Sequence, residues 1–216
     1  DQAAGALAAL ALDNMKNEFS IAEMMVALLG SEDPKACAKA ARAISRLART
    51  HVSNQRAIAN AGGIALLVRL LEANSKDKSS FGEGAAETAE ADANRAVCRE
   101  MASAIWSMAA KNEANQIAIS KAGGMPPLIR LLLVGHPDVH RDVAGALGAL
   151  ASNDDLRKAI ADAGGIAPLV ELLRPPPNGY PPQDAESKRE DSVSTELAQV
   201  LGAQEAAAGA LSALAV

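Results

Sequence analysis

The sequence predicts an all-helical solenoid built from three-helix repeats. Two recurring phrases and the composition carry that prediction. The phrase Ala-Gly-Gly-Ile/Met-x-x-Leu-Ile/Val-x-Leu-Leu occurs at Ala61–Leu71, Ala122–Leu132 and Ala163–Leu173. The phrase Ala-Gly-Ala-Leu-x-Ala-Leu-Ala occurs at Ala4–Ala11, Ala144–Ala151 and Ala208–Ala215. Self-similarity with a period of about 40 residues marks a stack of supersecondary units, none of which can bury its apolar face alone. Hydrophobic residues make up 49% of the chain and aromatic residues 2%. Alanine and leucine therefore supply most of the core; both favour helix, and alanine lets helix backbones approach.

Each helix of the unit has its own signal. A short first helix is expected over Asn54–Ala61, Ala114–Lys121 and Asp155–Asp162. A glycine pair ends it, because glycine adopts the left-handed conformation common at helix C-termini. The Ile/Met-x-x-Leu segment forms the second helix, with Pro126, Pro127 and Pro168 in the first turn, where proline is tolerated. The third and longest helix carries Ala-Gly-Ala-Leu and opens on caps such as Asp33-Pro34 or Pro137-Asp138. Asp154-Asp155 is expected to cap the following helix. The unit at Asn14–Gly30 lacks the glycine pair and is degenerate.

Aligning the third helices on Gly5, Arg42, Ser103, Gly145 and Gly209 gives spacings of 37, 61, 42 and 64 residues. Two spacings exceed the period, and each excess coincides with a biased segment. The first, near residues 73–93, is rich in Ser, Gly, Ala and charge, with Phe81 its one large apolar residue. The second, near 174–199, opens on the proline-rich RPPPNGYPPQ and turns acidic, although Val193–Leu201 has helical character. Both are expected to be mobile loop insertions in a single domain spanning residues 1–216, of about five incomplete repeats. The chain opens and closes inside the repeat phrases, so it is expected to be a piece of a longer protein. Its end helices, Ala3–Leu12 and Ala206–Val216, are expected to fray or self-associate.

The pattern resembles the armadillo repeat. The residues that carry the resemblance are Asn115-Gln116-x-Ala118-Ile119-x-x-Ala122-Gly123-Gly124-Met125-Pro126-Pro127-Leu128-Ile129-x-Leu131-Leu132, followed by Asp142-Val143-Ala144-Gly145-Ala146-Leu147. It covers nearly all of the chain outside the insertions. Periodicity alone also admits HEAT repeats; the glycine pair before Ile-x-x-Leu-Val favours armadillo. The resemblance implies a right-handed solenoid whose third helices line a concave groove, and a non-catalytic protein–protein interaction scaffold.

In such a groove, positions four and seven residues after each anchor, and four before it, share a helix face with the anchor. Nuclear-import adaptors of the importin-α type place Trp at the anchor and Asn four residues on. Here the pairs are Gly5/Ala9, Arg42/Arg46, Ser103/Ser107, Gly145/Ala149 and Gly209/Ala213, and Trp106 is displaced by three, so a transport role is disfavoured. The face carries Arg42, Arg46, Arg49, Arg99 and Arg141, with Lys111 beside them, in a chain of net charge −5. Clustered cations favour an anionic ligand, and arginine binds carboxylates bidentately. The expected partner is therefore an extended acidic protein segment. Its contacts would be Arg42, Arg46, Arg49, Arg99, Ser103, Trp106, Ser107 and Arg141, with Trp106 as core or anchor and Glu100 and Asp142 as local acids for the arginines. Compatible alternatives are the substrate-recruiting armadillo region of a U-box-type ubiquitin ligase and a vacuolar-type membrane-associated scaffold.

Other chemistries lack their residues. His136-x-x-x-His140 has metal-like spacing, but Pro137 intervenes and no third ligand is near in sequence. No Gly-Lys-Ser/Thr follows the glycine pairs, and no nucleophile elbow is present, so no catalytic residue, cofactor or metal is assigned. The acidic balance argues against nucleic acid. No run of about 18 apolar residues exists, so no membrane insertion is expected. Cys37 and Cys98 occupy equivalent places in neighbouring repeats, where stacked helices stand roughly 8–10 Å apart, too far for a disulfide. Two thiols and no disulfide framework suit a reducing compartment, the cytoplasm or nucleus.

Overall fold

The computed structural model describes residues 6, 15–77, 80–81, 88–134, 136–175 and 190–215. Every regular element among them is a helix. Helices α1 (Met15–Leu29) and α2 (Pro34–Thr50) are the second and third helices of a first unit. Helices α3 (Val52–Asn60), α4 (Gly63–Asn74) and α5 (Ala89–Ala109) form the next. Then come α6 (Glu113–Lys121), α7 (Met125–Val134) and α8 (Pro137–Ala151). The last unit is α9 (Asp154–Asp162), α10 (Ile166–Leu172) and α11 (Glu190–Leu214). Like helices stack on like: α2, α5, α8 and α11 pack successively side by side, as do α1, α4, α7 and α10. The expected helix over Ala3–Leu12 lies outside the described residues except for Ala6.

The glycine pair does two separate jobs. Its first member turns the chain: Gly62, Gly123 and Gly164 have φ of 83°, 81° and 79°, where an L side chain is strained. Helices α3 and α4 meet there at 74°. Its second member lets repeats close. A Cβ on Gly63 would stand 2.6 Å from Ile58 Cγ2 and 3.1 Å from Val26 Cγ2 of the preceding unit. Gly124 stands in the same way against Ile119 and Val68, and Gly165 against Ile160 and Ile129. The degenerate unit has no glycine to turn at, and α1 runs unbroken for 15 residues.

The core is leucine, isoleucine, methionine and alanine. Leu67, Leu71, Met101, Leu128, Leu131, Leu147 and Leu150 are wholly buried, and Ala41, Ala102, Ala104, Ala144 and Ala146 fill the gaps between third helices. Burying each large side chain contributes roughly 1.5–3 kcal/mol. Buried amides then tie the helix ends. Asn54 donates from Nδ2 to the Leu47 carbonyl (3.1 Å), and its equivalent Asn115 to that of Met108 (2.9 Å). Gln55 ties the first helix of its unit to the third, donating to the carbonyls of Ser107 (2.9 Å) and Ala110 (3.2 Å) at the end of α5. Gln116 donates to the Ala109 carbonyl of the preceding unit and to Ser152 Oγ at the end of α8 in its own. In the last unit Arg157 takes that place, with Nη1 3.4 Å from the Ala213 carbonyl.

Two local expectations need correction. The cap of α9 is Asn153, whose Oδ1 accepts from the Asp155 and Leu156 amides; Asp154 and Asp155 lie inside the first turn, where their charge complements the helix dipole. The first biased segment is not wholly a mobile loop. Helix α5 begins at Ala89 within it, Phe81 is buried in the core, and buried Arg95 donates to the Ser80 carbonyl (3.2 Å) while pairing with Asp92. Asn94 bonds Asp77 Oδ2 (3.1 Å), as does Ser80 Oγ (2.6 Å). Helix α11 likewise begins at Glu190, inside the second segment; residues 78–79, 82–87 and 176–189 are outside the described ones.

Candidate functional site

The stacked third helices bring the sequence-assigned arginines onto neighbouring elements. Arg42, Arg46 and Arg49 project from α2 and are exposed; Arg99 on α5 is half-buried, and Arg141 on α8 is exposed. Two acids lie among them. Arg42 Nη2 stands 2.7 Å from Glu100 Oε1, and Arg99 Nη2 stands 3.2 Å from the same oxygen. Arg42 keeps 48% of its side chain exposed, Arg99 36%, and Glu100 only 10%, so both cations still present a solvent face. The hydrogen bond and charge of Glu100 push the Arg42 guanidinium further above its ordinary range. Asp142 on α8 is the second acid. Burial raises its carboxyl above the ordinary aspartate range, against the opposing pull of Arg141, Arg99 and Arg49. Among the described residues, Arg42 and Arg99 share one carboxylate, Glu100, and Arg49, Arg99 and Arg141 all act on Asp142, which gives this face a cationic balance within an acidic chain.

The remaining assigned residues divide. Ser107 is 6% exposed and does not present to the groove. Its hydroxyl bonds Ser45 Oγ (2.9 Å) and the Ser103 carbonyl (3.0 Å), inside the α2–α5 seam. Ser103 is half-buried in the same seam, 3.2 Å from Ser45 Oγ. Lys111 stands apart from the arginines, at φ 54°, and lines a separate cavity of about 500 Å³ with Glu113, Gln116, Ser152, Asp154 and Asp155.

Trp106 is both packed and open. Its ring lies against α8 at Gly145, where a Cβ would fall 2.6–2.8 Å from the indole carbons. It also walls a cavity of about 340 Å³ between α8 and α11. Sequence reasoning missed that cavity. Its signal was the run of glycines that line it, Gly145, Gly148, Gly202 and Gly209, of which Gly209 faces open space.

Both thiols are buried and free. Cys37 Sγ donates to the Ser31 carbonyl (2.9 Å), and burial pushes the Cys98 thiol up to about 12. Among the described residues no group of three or more His, Cys, Asp or Glu is arranged to hold a metal ion, and no single helix is long and apolar enough to cross a membrane.

A family model for the armadillo/beta-catenin-like repeat matches residues 112–152, the unit formed by α6, α7 and α8. No curated protein matches the chain by sequence. Among solved structures, a designed armadillo repeat protein is similar at 22% identity, over 98% of this chain and 74% of that one, with a TM-score of 0.65. A designed armadillo repeat protein in complex with peptide (KR)4 is similar at 20% identity, over 99% and 92%, with a TM-score of 0.60. Computationally designed armadillo repeat proteins for modular peptide recognition are similar at 19% identity, over 98% and 92%, with a TM-score of 0.58. At these identities the likeness is one of fold. Residues 112–152 thus form an armadillo repeat, and the chain as a whole has the armadillo-repeat fold, with the doubled glycine turn in each complete unit.

Proposed function

We propose that this armadillo scaffold binds an extended acidic segment of a partner protein across the open face of α2, α5 and α8, without chemistry on that segment. The observation that carries this reading is the excess of guanidinium groups among the described residues of one face: Arg42, Arg49, Arg99 and Arg141 against Glu100 and Asp142, with Arg46 exposed beside them. Cations clustered beside low-dielectric packing focus positive potential and speed the encounter with an anionic chain. Peptide binding by two of the designed armadillo proteins supports the mode of binding. The peptide (KR)4 is basic, and a basic segment would be repelled by the face described here, so the charge preference proposed is the opposite one. Buried free thiols suit residence in a reducing compartment, the cytoplasm or nucleus.

The test is binding of the purified chain to glutamate-rich, neutral and lysine-rich peptides of equal length at low and physiological salt. Salt-sensitive capture of the glutamate-rich peptide is expected. The double substitution Arg46→Glu, Arg99→Glu should abolish it and leave the fold intact, because neither side chain is in the core. Retained affinity in that variant, or preference for the lysine-rich peptide, would overturn the proposal.

A further inference from the structure

The cavity between α8 and α11 is a built pocket in the face that the peptide reading assigns to binding. Trp106, packed over Gly145, forms one wall; Gly148 packs against Ala210 where α8 meets α11, and Gly209 leaves the α11 side open. Charges of opposite sign stand at its rim, Arg141 from α8 and Glu205 from α11. Arg141 is held there by packing as well as by charge. A Cβ on Gly202 would lie 3.0 Å from Arg141 Cδ and 3.4 Å from Nε, so its stem rests against the α11 backbone. At about 340 Å³, the cavity falls at the small end of ligand pockets, which run roughly 300–1,000 Å³.

We propose that this cavity takes one aromatic side chain of the bound segment, stacked beside Trp106, and that the neighbouring residue of the segment is acidic and pairs with Arg141. The proposal rests on the acidic-peptide reading and sharpens it to a local pattern. An aromatic ring fits because the wall is an indole on which a flat ring stacks and the Gly209 side leaves room for one; aromatic anchors are characteristic of interface hot spots. The rim fixes the order of charge. Arg141 attracts a carboxylate on one side, while Glu205 repels one on the other. The segment is therefore acidic on the Arg141 side of its ring and neutral or basic on the Glu205 side.

Gly209 supplies a clean test. A Cβ there meets nothing within 4 Å, and Gly209 is exposed and lines the cavity. Gly209→Leu therefore adds apolar bulk at the cavity lining from a position whose Cβ meets no packed atom, and it replaces a poor helix former within α11. The probes are a peptide with glutamates on one side of a single phenylalanine and neutral residues on the other, and its phenylalanine-to-alanine counterpart. With the unmodified chain, the phenylalanine peptide is expected to bind roughly tenfold tighter or more. It should shift the emission of Trp106, the one tryptophan of the chain. Gly209→Leu should erase the difference between the two peptides while leaving the affinity of the alanine peptide in place. Arg141→Gln should remove any preference for glutamate over glutamine beside the ring.

Equal binding of both peptides by the unmodified chain, or a phenylalanine advantage that survives Gly209→Leu, overturns the pocket and leaves the acidic-peptide reading standing. Failure of every glutamate-rich peptide to bind overturns both.

Discussion

Glu100 acts as a built-in competitor for whatever anion the arginines bind, and Glu100→Gln tests that idea quantitatively. Its Oε1 occupies Arg42 at 2.7 Å and Arg99 at 3.2 Å. A peptide carboxylate seated on the far side of either guanidinium would stand about 6 Å from Glu100. The repulsion between two unit charges at that distance is about 0.7 kcal/mol in bulk water and about 2.8 kcal/mol at an effective dielectric of 20. Arg42 is half exposed, so screening favours the lower end. Neutralising Glu100 should therefore tighten a glutamate-rich peptide by roughly three- to tenfold. The stability cost should stay below about 1 kcal/mol, since both arginine partners reach solvent and the amide can still accept their hydrogen bonds. Fluorescence anisotropy at two salt concentrations reads the affinity, and a thermal melt reads the fold. Glu113→Gln, which makes the same change in net charge beside the separate Lys111 cavity, controls for global charge. Unchanged or weaker affinity for Glu100→Gln, or an equal gain for Glu113→Gln, would refute the reasoning.

Three further outcomes follow from the packing. Gly145→Ala forces a methyl to within 2.6–2.8 Å of the Trp106 ring; it should cost roughly 1–3 kcal/mol and red-shift tryptophan emission, both absent if the ring contact is loose. Asp142 is held above the ordinary aspartate range by burial, so the folded state binds its proton more tightly than the unfolded state does. Its contribution to stability is then lost as pH rises through the window just above that range, and Asp142→Asn should melt higher than the unmodified chain at neutral pH. That gain should vanish in acid, below the ordinary aspartate range; a gain independent of pH would sink the argument. Phe81→Ala removes the buried anchor of the α4–α5 connection, a change that typically costs roughly 3–5 kcal/mol, and limited proteolysis should then cut between Asn74 and Ala89. Resistance equal to that of the unmodified chain would show that the anchor holds nothing.

The repeat was legible because its constraints are local. A glycine at φ near 80° and a second glycine against an isoleucine leave the same two letters in every complete unit, whatever the surroundings. The third-helix phrase was equally plain, because alanine spacing on a helix needs only the 3.6-residue period. The site was legible only as a set of cations on one face. Pairing across units was not: Arg42 and Glu100 are 58 positions apart, and only the stacking of α2 on α5 brings them together. Ser107 misled for a related reason. Its helical position faces the arginines by count, but Ser45 of the neighbouring helix takes its hydroxyl into the seam. The first insertion misled through composition: its small and charged residues outweighed Phe81, which is buried in the core, and the arginine that fastens Ser80, Arg95, lies just past the segment.

The open face changes character along the stack, and on the acidic-peptide reading that change would set the register of a bound segment. On α2 the anchor position and the position four residues on are both arginine, Arg42 and Arg46. On α5 the cation has moved to the position four before the anchor, Arg99, and on α8 to Arg141, with Gly145 at the anchor itself. On α11 that place is acidic, Glu205, with Gly209 as anchor. Guanidinium density therefore falls from α2 to α11 as the backbone becomes barer and the cavity beside Trp106 opens. A uniformly acidic segment would find partners over α2 and α5 and repulsion at Glu205. A segment acidic at one end and aromatic toward the other matches every step, and slipping it by one unit would set its ring against arginines and its carboxylates against glycine. Specificity of this kind comes from the penalty on the wrong register as much as from the contacts of the right one. The low aromatic content of the chain sharpens the selection, since Trp106 is the one indole wall available to the ring.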